Sequence, residues 1–110
     1  MSDLDLETWI LGAGDAVLAK KQREGGLSPL DELVHCLWVA DYGMRNAGDL
    51  ETANDVREGF QATARASAAE LGLPQSLAAF SLSQDELERR YFDLLEGVCR
   101  ELQVALASPP

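Results

Sequence analysis

The chemistry-bearing side chains that stand out first in this sequence are a glutamate and the single histidine, in a Glu-x-x-His spacing. Glu32 and His35 are three positions apart, so a helix places them on one face. Di-iron helical bundles use this element twice. With one histidine per chain, a second copy could come only from a second subunit. We therefore expect no metal and no cofactor, and we expect His35 to lie at the surface of its helix or at its boundary.

Two further features are weak candidates for chemistry. The run Gly12-Ala13-Gly14-Asp15 has neither the third glycine nor the preceding strand of a dinucleotide-binding loop, so we expect a helix interior there. Asp41 stands four residues before Arg45, which favours an ion pair within one helix. The alternative is a partly buried Asp41 that contacts the start of the next helix or a partner. No catalytic residues are indicated, and we do not expect an enzyme.

Acidic side chains recur at helical spacing in the third predicted helix. Glu51, Asp55 and Glu58 fall on one face of that helix, and Asp49 precedes the face at the helix cap. Arg57 offsets this negative charge only in part. The strip is either an ordinary solvated face or a docking surface for lysine and arginine side chains.

The first two predicted helices have clear ends. The first begins near Asp3 or Asp5, continues to about Glu24 and is ended by glycines. The second has Ser28 as its N-cap and Pro29 at its first position, and it ends near Asn46, with Gly48 as the terminator. Its apolar stripe consists of Leu30, Leu33, Val34, Leu37, Trp38 and Tyr42.

The second half of the chain predicts two more helices. A third helix begins after Asp49 and continues to Leu71, with an inner face outlined by Val56, Phe60, Ala64 and Leu71. A single short turn is expected over residues 76–80. The fourth helix starts at an N-cap, Ser83, with Glu86 in the capping-box position. Its apolar stripe consists of Leu87, Tyr91, Leu94, Leu95, Val98 and Leu102.

These elements predict an all-α fold: one helical domain over residues 1–110, a compact bundle of about four helices with short connections, and a frayed tail at 108–110. The length of 110 residues and the hydrophobic content of 46% are ordinary for a globular domain. No apolar run is long enough to cross a membrane, and the acidic start does not resemble a signal peptide, so we expect a cytoplasmic protein.

The net charge narrows the classes of partner. Nineteen acidic and nine basic residues give a formal charge of −10. This charge disfavours direct binding to nucleic acid and to anionic membranes, whereas a basic protein would be attracted. The other interpretation is that the charge only maintains solubility.

The second helix and its exit also resemble a known family. Leu27-Ser28-Pro29-Leu30-Asp31-Glu32-Leu33-Val34, with Trp38 and Tyr42 and then Arg45-Asn46-Ala47-Gly48-Asp49, resembles the central segment of a family of small acidic bacterial helical proteins. Its best-known members are DNA mimics, which present carboxylates in place of phosphates to a DNA-binding protein. The family has Asn-Gly-Gly and an aromatic residue where this chain has Asn46-Ala47-Gly48-Asp49-Leu50.

The resemblance implies that Asn46 and Gly48 form the family's turn, and that the negative surface competes with nucleic acid for a basic protein. We therefore expect an acidic protein-binding module, of the adaptor, inhibitor or immunity type, with DNA mimicry as its specific form. The alternative is a structural or oligomerisation module, for which a homodimer would form through an exposed apolar part of the first or second helix.

Overall fold

The computed structural model describes residues 2–107, and within that range the chain forms helices and no strand. The helices are α1 (Asp3–Glu24), α2 (Pro29–Asn46), α3 (Leu50–Val56), α4 (Phe60–Leu71), α5 (Pro74–Phe80) and α6 (Gln84–Ala107). The all-α prediction is confirmed. The prediction of about four helices is wrong, since the described part of the chain has six. The tail predicted at 108–110 lies outside the described residues.

Serine side chains cap the starts of three helices. The Ser2 hydroxyl accepts from the Asp5 amide while the Asp5 carboxylate accepts from the Ser2 amide, which is a reciprocal capping box. Ser28 caps α2 by accepting from the Asp31 amide at 3.2 Å. Ser83 accepts from the Glu86 amide at 3.2 Å at the start of α6.

The third predicted helix is the main correction. The chain breaks between α3 and α4, where Arg57 is extended and Gly59 has a φ of 75°, a left-handed conformation that glycine adopts without strain. Phe60 and Ala64 are buried as predicted, but Val56 and Leu71 are 46% and 36% exposed. The short turn predicted at 76–80 belongs to a helix that begins earlier, at Pro74.

Helix α2 lies at the centre of the molecule and packs against α1, α3, α4 and α6. The buried part of its stripe is Leu33, Val34 and Leu37, and Trp38 is partly buried against the core. Tyr42 is 43% exposed, so the stripe ends one turn earlier than predicted. On α6 the predicted stripe faces the core, with Leu94 partly buried at its edge.

Two glycines bring helices into close contact. A Cβ at Gly14 would lie 2.4 Å from Cδ1 of Trp38, so the indole rests directly on the backbone of α1. A Cβ at Gly43 would lie 2.7 Å from the carbonyl oxygen of Asp49 and 2.9 Å from the amide nitrogen of Ala53. Helices α2 and α3 therefore meet backbone to backbone.

Within the described range, no helix combines the length and the apolar character that crossing a membrane requires.

Candidate functional site

We use the name acidic face for Asp49, Glu51, Asp55 and Glu58. Asp49 is the N-cap of α3: its Oδ1 accepts from the Thr52 amide at 2.8 Å, and hydrogen bonding to Thr52 lowers the pKa of the carboxyl group. Glu51 and Asp55 are exposed on α3. Glu58 is also exposed, but α3 ends at Val56, so Glu58 lies in the connection to α4. The prediction that one continuous helix carries all these acids is wrong.

Arg57 is the one cation within the segment 49–58, and its guanidinium contacts α2. Its Nη1 lies 2.8 Å from Nδ1 of His35, and its Nη2 pairs with the carboxylate of Glu32, both on α2. Among residues 2–107, no ion pair involves Glu51, Asp55 or Glu58. The negative charge of these three side chains is therefore not neutralised locally.

The pair Glu32 and His35 thus contacts a cation supplied by the chain itself. Because a guanidinium can only donate, Nδ1 of His35 is the acceptor, and the neutral ring carries its proton on Nε2. Burial, together with the charge of Arg57, lowers the pKa of His35. In the described part of the chain, no group of three or more His, Cys, Asp or Glu side chains is arranged to hold a metal ion.

Two contacts fix α3 against α6. The Leu50 amide donates to Oε1 of Glu88 at 2.7 Å, and Nδ2 of Asn54 donates to Oε1 of Gln84 at 2.9 Å. These contacts, together with the close approach at Gly43, hold α3 on two sides. The exposed Asp85 follows Gln84, so a further carboxylate belongs to the same end of the molecule.

The residues that the resemblance assigned to a turn lie at the exit of α2. Gly48 has a φ of 76°, and its amide donates to the carbonyl oxygens of Gly43 and Met44. Nδ2 of Asn46 donates to the carbonyl oxygen of Tyr42 at 2.9 Å. Helix α2 ends at Asn46, as predicted.

Asp41 is 3% exposed and lies in a polar cluster with Arg45, Asp3 and Glu7. Its Oδ2 accepts from Nε of Arg45 at 2.8 Å, and its Oδ1 accepts from the hydroxyl of Tyr91 at 2.7 Å. Burial raises the pKa of Asp41, although both hydrogen bonds oppose that shift. The remaining nitrogens of Arg45 donate to both oxygens of Asp3, at 2.9 and 3.0 Å. The cluster links α1, α2 and α6.

Both cysteines are buried, and burial outweighs the nearby arginines in setting their pKa values. Burial raises the pKa of the Cys36 thiol to about 11 and that of the Cys99 thiol to about 12. Reactive cysteines need the opposite shift, because the thiolate is the nucleophile. The raised pKa values keep both thiols in their protonated, less nucleophilic form at neutral pH.

Sequence reasoning missed three long-range contacts of these polar groups. It paired Asp41 with Arg45 but gave no indication of Tyr91, and it assigned Arg57 to the acidic face rather than to His35. It also missed Glu101, which accepts from the amides of Gln75 and Ser76 at the start of α5. The signal in the sequence was Leu73, which precedes Pro74 and has no side-chain oxygen to cap a helix. The free amides at the start of α5 therefore need an acceptor from another element.

Comparison of the chain with protein-family models, with curated proteins and with solved structures gave no match. Any function for this protein has to be inferred from the contacts and charges of its own residues.

Proposed function

We propose that this protein is an acidic protein-binding module that recognises a basic protein through its acidic face and performs no chemistry of its own. The observation that carries the proposal is the inward orientation of Arg57. The only cation within the segment 49–58 is occupied by His35 and Glu32, which leaves Glu51, Asp55 and Glu58 available to the positive side chains of a partner.

The contacts that hold α3 in place strengthen this proposal. Contacts with α2 and α6 hold the backbone of α3, so Glu51 and Asp55 extend from a helix that is already fixed in place before any partner arrives. A surface whose backbone is already ordered loses less conformational freedom on binding than a mobile segment does.

The specific form of the proposal is that the basic partner binds DNA, and that the carboxylates take the place of phosphates. The formal charge of −10 supports this form. We place the protein in the cytoplasm, where such partners occur.

The experiment compares two triple variants that remove the same charge. One is Glu51→Gln, Asp55→Asn, Glu58→Gln on the acidic face; the other is Asp15→Asn, Glu24→Gln, Glu70→Gln at exposed positions on α1 and α4. Each is tested by fluorescence anisotropy against a panel of purified basic DNA-binding proteins at about 0.05 M and about 0.3 M salt. Unlabelled duplex DNA is then added as a competitor.

We expect the native protein to bind members of the panel and to lose affinity steeply with salt, and we expect duplex DNA to displace it. The acidic-face variant should lose at least about tenfold in affinity, corresponding to about 1.4 kcal/mol, while the control variant binds nearly as well as the native protein. Equal losses in both variants would show that only net charge matters. Binding that does not respond to salt, or no binding across the panel, would refute the proposal.

The second candidate is an oligomerisation module, and one observation favours it. Leu4 and Leu11, one heptad apart on α1, are 70% and 48% exposed. Light scattering coupled to size-exclusion chromatography separates the candidates: a dimer that persists at high salt and is lost in Leu4→Gln, Leu11→Gln would favour this one.

A further inference from the structure

A small cleft lies between α1 and α2, and none of the residues that line it belongs to the acidic face. Its volume is about 160 Å³, and Glu7 and Leu11 of α1 line it together with Trp38, Tyr42 and Arg45 of α2. The cleft therefore has room for several water molecules. It is large enough for the head group of one side chain and smaller than the pockets that hold drug-sized ligands.

One wall of the cleft is aromatic. The rings of Trp38 and Tyr42 are stacked, with their centroids 6.0 Å apart and their planes at 27°. Gly14 lets the indole rest against α1 and so fixes its position. Tyr42 remains 43% exposed, which leaves part of its ring available to a ligand. Such faces attract cations through the negative potential of the ring.

The charges around the cleft are unbalanced. Arg45 is the cation of the cluster, and it faces three carboxylates, those of Asp3, Glu7 and Asp41. Asp3 and Asp41 take close hydrogen bonds from the guanidinium, whereas Glu7 lies 3.5 Å from Nη1 and its side chain is 40% exposed. The cluster therefore carries an excess of negative charge, and Glu7 is the member with spare capacity to accept hydrogen bonds.

We infer that this cleft binds an arginine side chain of the basic partner, with the guanidinium against the ring of Tyr42 and paired with Glu7. The inference rests on the proposed function insofar as the arginine belongs to a protein. The protein already makes the same type of contact internally, because Arg45 is held by carboxylates while its guanidinium carbon lies 5.3 Å from the ring centroid of Phe92. A guanidinium suits the site better than an ammonium, since it is planar and weakly hydrated.

The test is an NMR titration of the full chain with two blocked tripeptides, acetyl-Gly-Arg-Gly-amide and its citrulline counterpart, which has nearly the same shape without the charge. The readout is the indole N–H resonance of Trp38, with that of Trp9 as an internal reference. We expect the arginine peptide to shift the Trp38 signal saturably and the citrulline peptide to leave it unchanged.

Two variants locate the binding. Glu7→Gln should weaken the arginine peptide at least about threefold, and Tyr42→Leu about two- to fivefold, as expected for the loss of an exposed cation–π contact. Asp15→Asn, which removes an exposed charge from the same helix, should leave binding unchanged. The two variants are at exposed or half-exposed side chains, and their amide spectra verify the fold.

The inference is overturned if neither peptide shifts Trp38, if both shift it equally, or if Glu7→Gln and Asp15→Asn weaken binding alike. The triple variant of the acidic face distinguishes a failure of this inference from a failure of the proposed function. It should still bind the tripeptide while it loses the protein partner. The role of the cleft and the role of the acidic face are therefore tested independently.

Discussion

Tyr91 donates a hydrogen bond of 2.7 Å to Oδ1 of Asp41 across fifty residues of sequence, and both side chains are buried. The bond joins α6 to α2 at a point where the Asp41 carboxylate also accepts a hydrogen bond from Nε of Arg45. Burial raises the pKa of Tyr91 well above its ordinary value, so the phenol stays protonated and remains a donor. A buried carboxylate is thus supplied with donors from two helices.

Removal of this donor should destabilise the protein measurably. Tyr91→Phe keeps the ring but leaves Oδ1 of Asp41 without its buried partner, and we expect a loss of about 1–3 kcal/mol in the free energy of unfolding. Urea titration followed by circular dichroism measures it. The matched control is Tyr42→Phe: residue Tyr42 is 43% exposed, so this change should alter stability by less than about 0.5 kcal/mol. Similar effects of the two substitutions would contradict the role assigned to the Tyr91 hydroxyl.

Glycines 12 and 14 offer a second matched pair, because both lie inside α1 and only one touches another helix. Gly14→Ala places a methyl group against the indole of Trp38, so we expect a loss of about 1–3 kcal/mol. A Cβ at Gly12 meets nothing within 4 Å, so Gly12→Ala should stabilise the helix by up to about 1 kcal/mol. Thermal unfolding of both variants shows whether each substitution stabilises or destabilises the protein. A stabilising Gly14→Ala would refute the close contact.

The stability of the protein should fall as the pH drops through the ordinary range of histidine. Burial and Arg57 lower the pKa of His35 from its ordinary value of 6.5, so the unfolded chain takes up the proton before the folded one does. The contribution is therefore complete above pH 6.5 and is lost as the pH falls toward the pKa of the folded state. His35→Gln should flatten this dependence.

Proton NMR of the imidazole gives the direct measurement of that shift. We expect the His35 ring to titrate below the value of 6.5 in the folded protein, and Arg57→Gln to move the midpoint upward, because the neighbouring positive charge is lost. A midpoint at or above 6.5 in the native chain would contradict the contact between Nδ1 and the guanidinium.

Glu101 should be more important to stability than its sequence context indicates. Its two carboxylate oxygens accept from the amides of Gln75 and Ser76 and from the Ser76 hydroxyl, at 2.6 to 2.8 Å. Glu101→Gln replaces one acceptor by a donor at the start of α5, and we expect a loss of about 0.5–2 kcal/mol, as for other helix caps. Glu70→Gln, at an exposed position of α4, is the control and should be nearly neutral.

Helix caps and apolar spacing allowed part of the fold to be predicted from the sequence. Ser28, Pro29 and Ser83 identify two helix starts, and the apolar spacing in α6 identifies the side that faces the core. These signals depend on neighbours within about four residues, which is the range over which a helix organises its own hydrogen bonds.

The break in the third predicted helix shows where local patterns end. Apolar spacing continues through Gly59, but the backbone there is left-handed and Arg57 is extended, with its side chain in contact with His35 of α2. The pairing of Asp41 with Tyr91, and of Ser76 with Glu101, depends on how distant helices pack. No periodicity carries that information.

The contact at Gly43 has a further consequence for evolution at this corner of the molecule. With the backbone of α2 against the Asp49 carbonyl and the Ala53 amide, any larger residue at position 43 would push the two helices apart. The position of the exposed carboxylates of α3 relative to the rest of the surface therefore depends on the absence of a side chain at Gly43. Substitution of one surface carboxylate would change a single charge, whereas substitution of Gly43 would displace all of the carboxylates that α3 carries at once.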